Sequence, residues 1–134
     1  MTAGKTDRPA AGHILRYVYL FEEEQRRGRD EGVKERFVVV VGVEGSRYLV
    51  AAITTKGEGR KNALAIPDEI ARAAGLAPGS SIVVSEFNRF TWPGFDIRPL
   101  MKQPGYIAGR LPPRFTTKII DAIAAWRAAP VDRD

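Results

Sequence analysis

The chain has 134 residues, 44% of them hydrophobic and 28% charged, which is the profile of a single soluble globular domain. It contains no cysteine, which excludes a disulfide scaffold, a thiolate zinc site and a cysteine nucleophile, and its one histidine, His13, argues against histidine-rich metal sites and Ser-His-Asp triads. Twenty-one basic against sixteen acidic residues give a net charge of +5, which is compatible with a polyanionic partner and equally with solubility alone.

The beginning of the chain carries no apolar segment of the secretory kind, and residues 1–11 are predicted to be a flexible lead-in. The longest apolar run, Phe37–Val43, is far shorter than the roughly 20 residues of a membrane-spanning helix. We therefore expect a cytoplasmic protein without membrane contact.

The first half of the chain predicts strands. His13–Phe21 is dense in β-branched and aromatic residues and predicts a strand, whereas Glu22–Glu35 is charged, lacks apolar periodicity and predicts a long exposed loop. The continuous apolar run Phe37–Val43 predicts a strand buried on both faces. The turn residues Glu44-Gly45-Ser46 join it to a partner strand at Arg47–Thr54.

The second half mixes helices and short strands. Pro67-Asp68-Glu69 predicts the start of a short helix that Gly75 ends, with an apolar side made of Ile70, Ala73 and Ala74. The predicted strands that follow are Ser81–Glu86, Phe90–Trp92 and Phe95–Ile97. A final helix is predicted to start near Pro112-Pro113, with apolar residues at helical spacing, namely Phe115, Ile119, Ile120, Ile123 and Trp126.

Short strands separated by Gly and Pro turns, one small helix and a C-terminal helix favour the α+β class and a compact antiparallel β-barrel. We expect a single domain over residues 12–128, followed by a C-terminal tail at 129–134.

Several segments occur in an order that carries further information. They are Glu31–Arg36 leading into Phe37–Val41, then Val50–Lys56, Ile82–Phe90, Trp92-Pro93-Gly94 with Asp96–Pro99, and Leu111-Pro112-Pro113. In this order they resemble the MazF/PemK family of type II toxin–antitoxin toxins, especially its PemK-like branch, over about residues 12–125. The chain departs from the family at Phe37, where Pro is usual, and at Thr55, where close relatives often carry His.

The resemblance implies a small SH3-like barrel of the MazF/CcdB type, with a short inserted helix and a C-terminal helix. It also implies a toxin that is a sequence-specific endoribonuclease, cleaves single-stranded RNA such as mRNA without a metal or other cofactor, and leaves 2′,3′-cyclic phosphate and 5′-hydroxyl ends. The implied partners are a second copy of the chain, in a homodimer, and a cognate antitoxin.

The resemblance also assigns catalytic residues. Arg36 matches the family's catalytic arginine, and a planar guanidinium can hold two phosphate oxygens at once. Thr54 matches an active-site threonine, and Glu86 matches an acidic position that acts as a base or orients the arginine. The structural alternatives are an arginine at a strand edge paired with Glu31 or Glu35, an ordinary strand threonine and an exposed strand end.

Residues near these positions are candidates for substrate binding, namely Glu31, Lys34, Thr55, Lys56, Asn88 and Trp92. Glu31 and Lys34 belong to the charged loop, which contacts or shields RNA in the family. Trp92 offers a ring for base stacking, although the aromatic residues of this region are equally suited to a core. With Thr in place of His at position 55, no imidazole is at hand as a proton donor.

Two other interpretations stay open. Ala65–Ser80 contains Ile-Pro, Gly-Leu and Pro-Gly landmarks that resemble an AbrB/MazE-type DNA-binding element, which would make the protein a dimeric regulator. The same barrel could also lack ribonuclease activity and bind a protein target, as gyrase is bound by CcdB toxins, because fold does not determine function.

Overall fold

The computed structural model describes residues 8–19, 34–94, 96–100 and 105–133, with residues 34 and 35 described by their backbone. Within these ranges the chain forms nine strands and two helices, so the predicted α+β class is confirmed. The strands are β1 (His13–Tyr19), β2 (Lys34–Glu44), β3 (Arg47–Thr54), β4 (Ala63–Ala65), β5 (Ser81–Val83), β6 (Glu86–Thr91), β7 (Ile97–Arg98), β8 (Ile107–Arg110) and β9 (Ala129–Asp132). The helices are α1 (Asp68–Ala73) and α2 (Pro113–Trp126).

Strand β2 lies between β1 and β3, and all three are antiparallel. The predicted strand Arg47–Thr54 is confirmed, and the turn that precedes it has Gly45 at a φ of 66°. Strand β2 is longer than predicted because its ladder with β1 continues to the pair of Tyr19 with Lys34. Residues 34 and 35 therefore belong to a strand, while the remainder of the predicted loop lies outside the described residues.

The outer edge of β3 is shared by two strands, β6 along Arg47–Val50 and β5 along Ile53–Thr54. The prediction of one strand over Ser81–Glu86 is wrong, because the chain breaks its strand after Val83 in order to pass from one pairing to the other. Of the predicted strand Phe90–Trp92, the first two residues form the end of β6 and Trp92 lies beyond it.

Two hydrophobic cores lie on the two faces of the central strands. We call the first the helix-side core, which contains Ile14, Val39, Val41, Ala51, Ile53 and the buried residues of α1 and α2. We call the second the aromatic core, which contains Leu15, Tyr17, Tyr19, Val38, Val40, Tyr48, Val50, Ala52, Phe90, Trp92 and Ile97. Because successive side chains of a strand point to opposite faces, the apolar run of β2 supplies both cores, as its composition predicts.

Both helices pack on the helix-side core. Helix α1 follows Pro67 and ends before Gly75, whose φ is 79°, as predicted. Its buried residue is Ala71, not the predicted Ala73, which is exposed. Helix α2 has the predicted start and buries Phe115 and Ile119.

The predicted apolar side of α2 is only partly correct. Ile120 and Trp126 are 40% and 46% exposed, so they do not belong to the buried face of the helix. Neither helix in the described part of the chain is long and apolar enough to cross a membrane.

The chain end is part of the sheet. Residues 129–132, predicted to belong to a tail, form β9, which runs parallel to β6, and Val131 is buried in the pairing with Asn88. Beyond β9, Arg133 donates two hydrogen bonds to Asp96, from Nε at 2.9 Å and from Nη2 at 3.1 Å, and both side chains are buried. Asp96 directly precedes β7, so this ion pair joins the β9 end of the sheet to the β7 end. The strand pairings among the described residues do not themselves close it into the predicted barrel.

Candidate active site

Two of the residues predicted to be catalytic project from neighbouring strands on one face of the sheet. Arg36 of β2 is paired with Tyr17 of β1. Two residues further along β2, Val38 is paired with Ala52 of β3. Because the side chains of a strand alternate, Arg36 and Thr54 lie on the face of this second pair, which is the face of the aromatic core.

Glu86 joins them from the first position of β6. Asn88 is paired with Val50, so Glu86 projects from the same face at the end of the strand. Arg36, Thr54 and Glu86 all line one cavity of about 350 Å³, which we call the Glu86 cavity. The structure thus brings together three residues that are separated by up to 50 positions in the sequence.

A second and larger cavity adjoins the first. It has a volume of about 610 Å³ and shares Arg36, Thr54 and Lys56 with the Glu86 cavity. We call it the Phe37 cavity. Its other lining residues include Arg16, Phe37, Ile53, Leu76, Ala77 and Ser80. The two cavities adjoin at the ends of β2 and β3, where Arg36, Thr54 and Lys56 line both, and together we call them the cleft. Phe37 and Ile53 point to the helix-side face of the sheet, whereas Arg36 and Thr54 point to the face of the aromatic core.

The segment after Thr54 is held against the sheet and forms one wall of the Glu86 cavity. The Thr54 hydroxyl oxygen accepts a hydrogen bond from the Lys56 backbone N–H at 3.1 Å, and Asn62 donates from Nδ2 to the Ser85 hydroxyl at 3.1 Å. Gly57 is buried between β4 and β5, where a Cβ would come within 2.7 Å of the Ser81 Cβ. Only glycine fits at this approach, which fixes the position of Lys56 beside Thr54.

The floor beneath Arg36 and Glu86 is aromatic. Tyr17 and Tyr19 are buried with ring centroids 6.4 Å apart, and Tyr17 packs on Phe90 at 5.2 Å. The pKa of Tyr19 is raised well above its ordinary value of 10.0, chiefly because burial disfavours the phenolate and further because Glu86 and Tyr17 contribute negative charge, while Arg36 acts in the opposite direction. Tyr19 therefore keeps its proton at neutral pH close to both the carboxylate and the guanidinium.

The cleft is cationic. Arg16, Arg36, Lys56 and Arg60 line its two cavities, and Glu86 is the one carboxylate among the described lining residues. Arg16 is held by a hydrogen bond from Nη1 to the Pro99 carbonyl oxygen. A concave site with this excess of positive charge suits a polyanion, because field lines concentrate in a cleft with low-dielectric walls.

The residues predicted to bind substrate differ in exposure and in position relative to the cleft. Thr55 and Lys56 are exposed and line the cleft. The backbone of Lys34 extends β2 toward the same end of the sheet, although its side chain, like the whole of Glu31, lies outside the described residues.

Two members of that set need correction. Asn88 is fully buried, because it lies between β3 and β9 in the interior of the sheet, and its side chain has no surface to offer a ligand. Trp92 is 8% exposed and packs on Tyr48 and Tyr106 at centroid distances of 5.5 and 5.7 Å. Trp92 lines a separate cavity of about 310 Å³ beside the Arg133–Asp96 ion pair, so it serves the core.

The structure also adds cleft residues that the sequence analysis did not select, namely Arg16, Phe37, Arg60 and Asn62. Arg16 is a charged residue inside the largely apolar strand HILRYVY, and this pattern could have indicated a side chain that faces a cavity. The pairing of Arg16 with Phe37 across β1 and β2 depends on register and could not be read from local sequence.

Within the described part of the chain, no group of three or more His, Cys, Asp or Glu side chains is arranged to hold a metal ion. Comparison with known proteins gives no family, since no family model matches the sequence and no curated protein matches it either. The function is therefore argued from the cleft.

Proposed function

We propose that the protein is an endoribonuclease that cleaves single-stranded RNA without a metal, as the toxin of a MazF/PemK-type toxin–antitoxin pair. The observation that carries the proposal is the convergence of Arg36, Thr54 and Glu86 on one cavity with a cationic rim. The sequence resemblance selects these three residues, and their geometry in the fold is an independent argument for a common role.

Each residue of the cavity suits one requirement of the reaction. Cleavage by the adjacent 2′-hydroxyl needs a base for that hydroxyl and stabilisation of the charge that develops on the phosphorane oxygens. Glu86 accepts the 2′-hydroxyl proton, and Arg36 binds the phosphorane oxygens through its planar fork of N–H donors. Thr54 accepts the Lys56 N–H with its hydroxyl oxygen, which leaves the hydroxyl proton to donate to a phosphate oxygen.

The leaving 5′ oxygen needs a proton when the bond from phosphorus to that oxygen breaks. Lys56 lines both cavities, and its side-chain ammonium group is a proton donor. In the proposed reaction Lys56 gives this proton. Glu86 then releases the 2′-hydroxyl proton to solvent and Lys56 takes one up from solvent, which restores both groups. The products are a 2′,3′-cyclic phosphate and a 5′-hydroxyl end.

The proposal includes the SH3-like barrel of the MazF/CcdB type. Three features support it: the strongly paired β1–β2–β3 unit, the aromatic core enclosed between this unit and β6, and the buried Arg133–Asp96 pair that joins the ends of the sheet.

The partners follow from the same proposal. An antitoxin with an acidic segment would neutralise the cation-rich cleft, and two copies of the chain would form a homodimer that extends the RNA groove. The substrate, mRNA, places the activity in the cytoplasm. Sedimentation equilibrium of the purified chain tests the dimer, and a monomer at micromolar concentration would contradict that part of the proposal.

The AbrB/MazE-like alternative is less well supported. The segment that resembles it, Ala65–Ser80, runs from the end of β4 through α1 to the start of β5, and its residues Ile66, Ala71 and Leu76 are buried in the helix-side core. A barrel without nuclease activity stays the alternative that the cleavage assay must distinguish.

The test is incubation of the purified protein with a long single-stranded RNA in EDTA, followed by analysis of the fragment ends. We expect discrete fragments with 5′-hydroxyl ends, and a loss of cleavage in Glu86→Gln and Thr54→Val, which retain the size of each side chain. Intact RNA after treatment with folded wild-type protein would contradict the proposal and favour the barrel that binds a protein target.

A further inference from the structure

The Phe37 cavity contains residues that have no role in the proposed reaction, among them Arg16 and Phe37. Phe37 is 38% exposed at its edge, although it belongs to the most apolar strand of the chain. The strand carries its neighbours Val38, Val39 and Val40 completely buried. Phe37 lines the cavity, so its exposed ring is accessible to a molecule bound there.

The ring has a cation beside it on the same face. Arg16 is the register partner of Phe37 on β1, and directly opposed residues of an antiparallel pair have their Cβ atoms about 4.5–5.5 Å apart. Beyond them the cavity is lined by the apolar side chains of Ile53, Leu76 and Ala77. A flat ring, a guanidinium and an apolar wall together match a planar, weakly polar group that is attached to an anion.

The position of the cavity identifies that group. The Phe37 cavity shares Arg36, Thr54 and Lys56 with the Glu86 cavity, so a chain bound at Arg36 reaches it around the ends of β2 and β3. Its volume of about 610 Å³ lies within the range of roughly 300–1,000 Å³ that small-molecule sites occupy, which is sufficient for a nucleotide.

We infer that the Phe37 cavity is a nucleobase subsite, in which the base of the nucleotide next to the scissile phosphate stacks on Phe37 while Arg16 binds the adjoining phosphate. The inference rests on the proposed function and extends it, because it assigns a residue that contributes to the choice of the RNA site. Phe37 acts by positioning the RNA, since its ring has no group that can take part in proton transfer.

The experiment measures binding separately from cleavage. The probe is a fluorescein-labelled 2′-O-methyl oligonucleotide of roughly ten nucleotides, which lacks the attacking hydroxyl and copies a site that the wild-type protein cleaves. Fluorescence anisotropy gives the Kd for wild type, Phe37→Leu and Phe37→Trp. Stacking of one base contributes about 1–3 kcal/mol, which corresponds to a roughly 5- to 150-fold weaker Kd in Phe37→Leu, whereas Phe37→Trp retains the affinity.

The base that stacks is found by replacing each nucleotide in turn with an abasic one. We expect one abasic position to weaken binding to wild type as much as Phe37→Leu does, and to have no further effect in the Phe37→Leu variant, as for two changes that remove the same contact. Val43→Ala, at the other exposed apolar position of β2, is the control and should bind as wild type does. Unchanged melting temperatures would show that the variants fold.

The outcomes separate the two proposals. Cleavage by the wild type together with equal binding by wild type and Phe37→Leu overturns the nucleobase subsite alone, and leaves the cavity to an apolar side chain of a peptide partner. The subsite is also overturned if every abasic position weakens binding to the same small extent, so that no single position reproduces the weaker Kd of Phe37→Leu. If the wild type neither cleaves RNA nor binds a random-sequence pool of the same length, the proposed function and the subsite both fail.

Discussion

The Arg133–Asp96 pair offers a test of how the sheet is held at its open edge. The Arg133 and Asp96 side chains are 5% and 4% exposed, and their two hydrogen bonds of 2.9 and 3.1 Å form a bidentate contact. The substitution Arg133→Met keeps much of the side-chain length and removes the charge. It leaves the Asp96 carboxylate buried without its guanidinium, which costs about 3–5 kcal/mol in comparable cases.

Arg47→Met is the matched control. Arg47 also binds a carboxylate, that of Asp132 at 3.3 Å, but the two side chains are 42% and 45% exposed. Exposed pairs of this kind contribute about 0–1 kcal/mol, and Arg89 keeps its own contact with Asp132 at 3.0 Å. The same chemical change should therefore have a much smaller effect at position 47.

The assay is urea unfolding followed by tryptophan fluorescence, since Trp92 lines the cavity beside the buried pair. We expect Arg133→Met to lower the free energy of unfolding by about 3–5 kcal/mol, a large part of the 5–15 kcal/mol typical of a domain, and Asp96→Asn in the same chain to recover part of the loss. Equal and small losses in Arg133→Met and Arg47→Met would refute the reasoning that burial makes the Arg133–Asp96 pair important for stability.

Two further predictions concern charge and pH. Lys56→Ala and Arg60→Ala should each reduce the slope of log Kd against log salt concentration for single-stranded RNA by about 0.7, the value for one released counterion, and anisotropy titrations that give unchanged slopes would contradict a phosphate contact. Because the pKa of Tyr19 is raised in the folded protein, the folded state holds this proton more tightly than the unfolded state. The resulting contribution to the free energy of unfolding is fully present below the unfolded pKa of about 10, and it is lost as the pH rises toward the folded pKa. Tyr19→Phe should remove a contribution of up to about 1.4 kcal/mol per pH unit from the decline of the unfolding free energy above pH 10, and identical slopes in urea titrations of the two proteins would exclude it.

Local sequence patterns predicted the elements whose ends are marked by special residues. The strand Arg47–Thr54 follows a glycine turn, and α1 lies between Pro67 and Gly75, so backbone chemistry alone determines where each begins or ends. The break between β5 and β6 has no such mark. It arises because Ile82 and Asn88 pair with different parts of β3, which is a property of the assembled sheet.

The C-terminal strand shows the same limit. Ala129–Asp132 contains a proline and one apolar residue at a buried position, which is too short a pattern to distinguish a strand from a tail. Its structure depends on partners about 40 residues away in the sequence, namely the β6 ladder and Asp96. Such contacts are decided by the tertiary fold.

The candidate site was predicted best where it lies at strand ends. Arg36 and Thr54 are at adjoining ends of β2 and β3, and the resemblance to a known family selected both. The prediction for Asn88 was wrong because Asn88 is two positions after Glu86 on β6. It points to the same face as Glu86, but it lies in the interior of the sheet and not at the rim of the cleft. Phe37 was noted only as a departure from the family, and its contact with Arg16 requires the register of β1 and β2.

The central claim is that Arg36 stabilises the charge of an RNA-cleavage transition state. Its most direct test compares single-turnover cleavage of one RNA in EDTA by wild type, Arg36→Ala and Arg114→Ala, where Arg114 is an exposed arginine at the start of α2 that lines neither cavity of the cleft. The account predicts a rate reduced roughly 100- to 1,000-fold in Arg36→Ala and unchanged in Arg114→Ala, since both variants lose one positive charge but only one loses a donor to the phosphorane. Equal rates in the two variants, with both proteins folded, would contradict it.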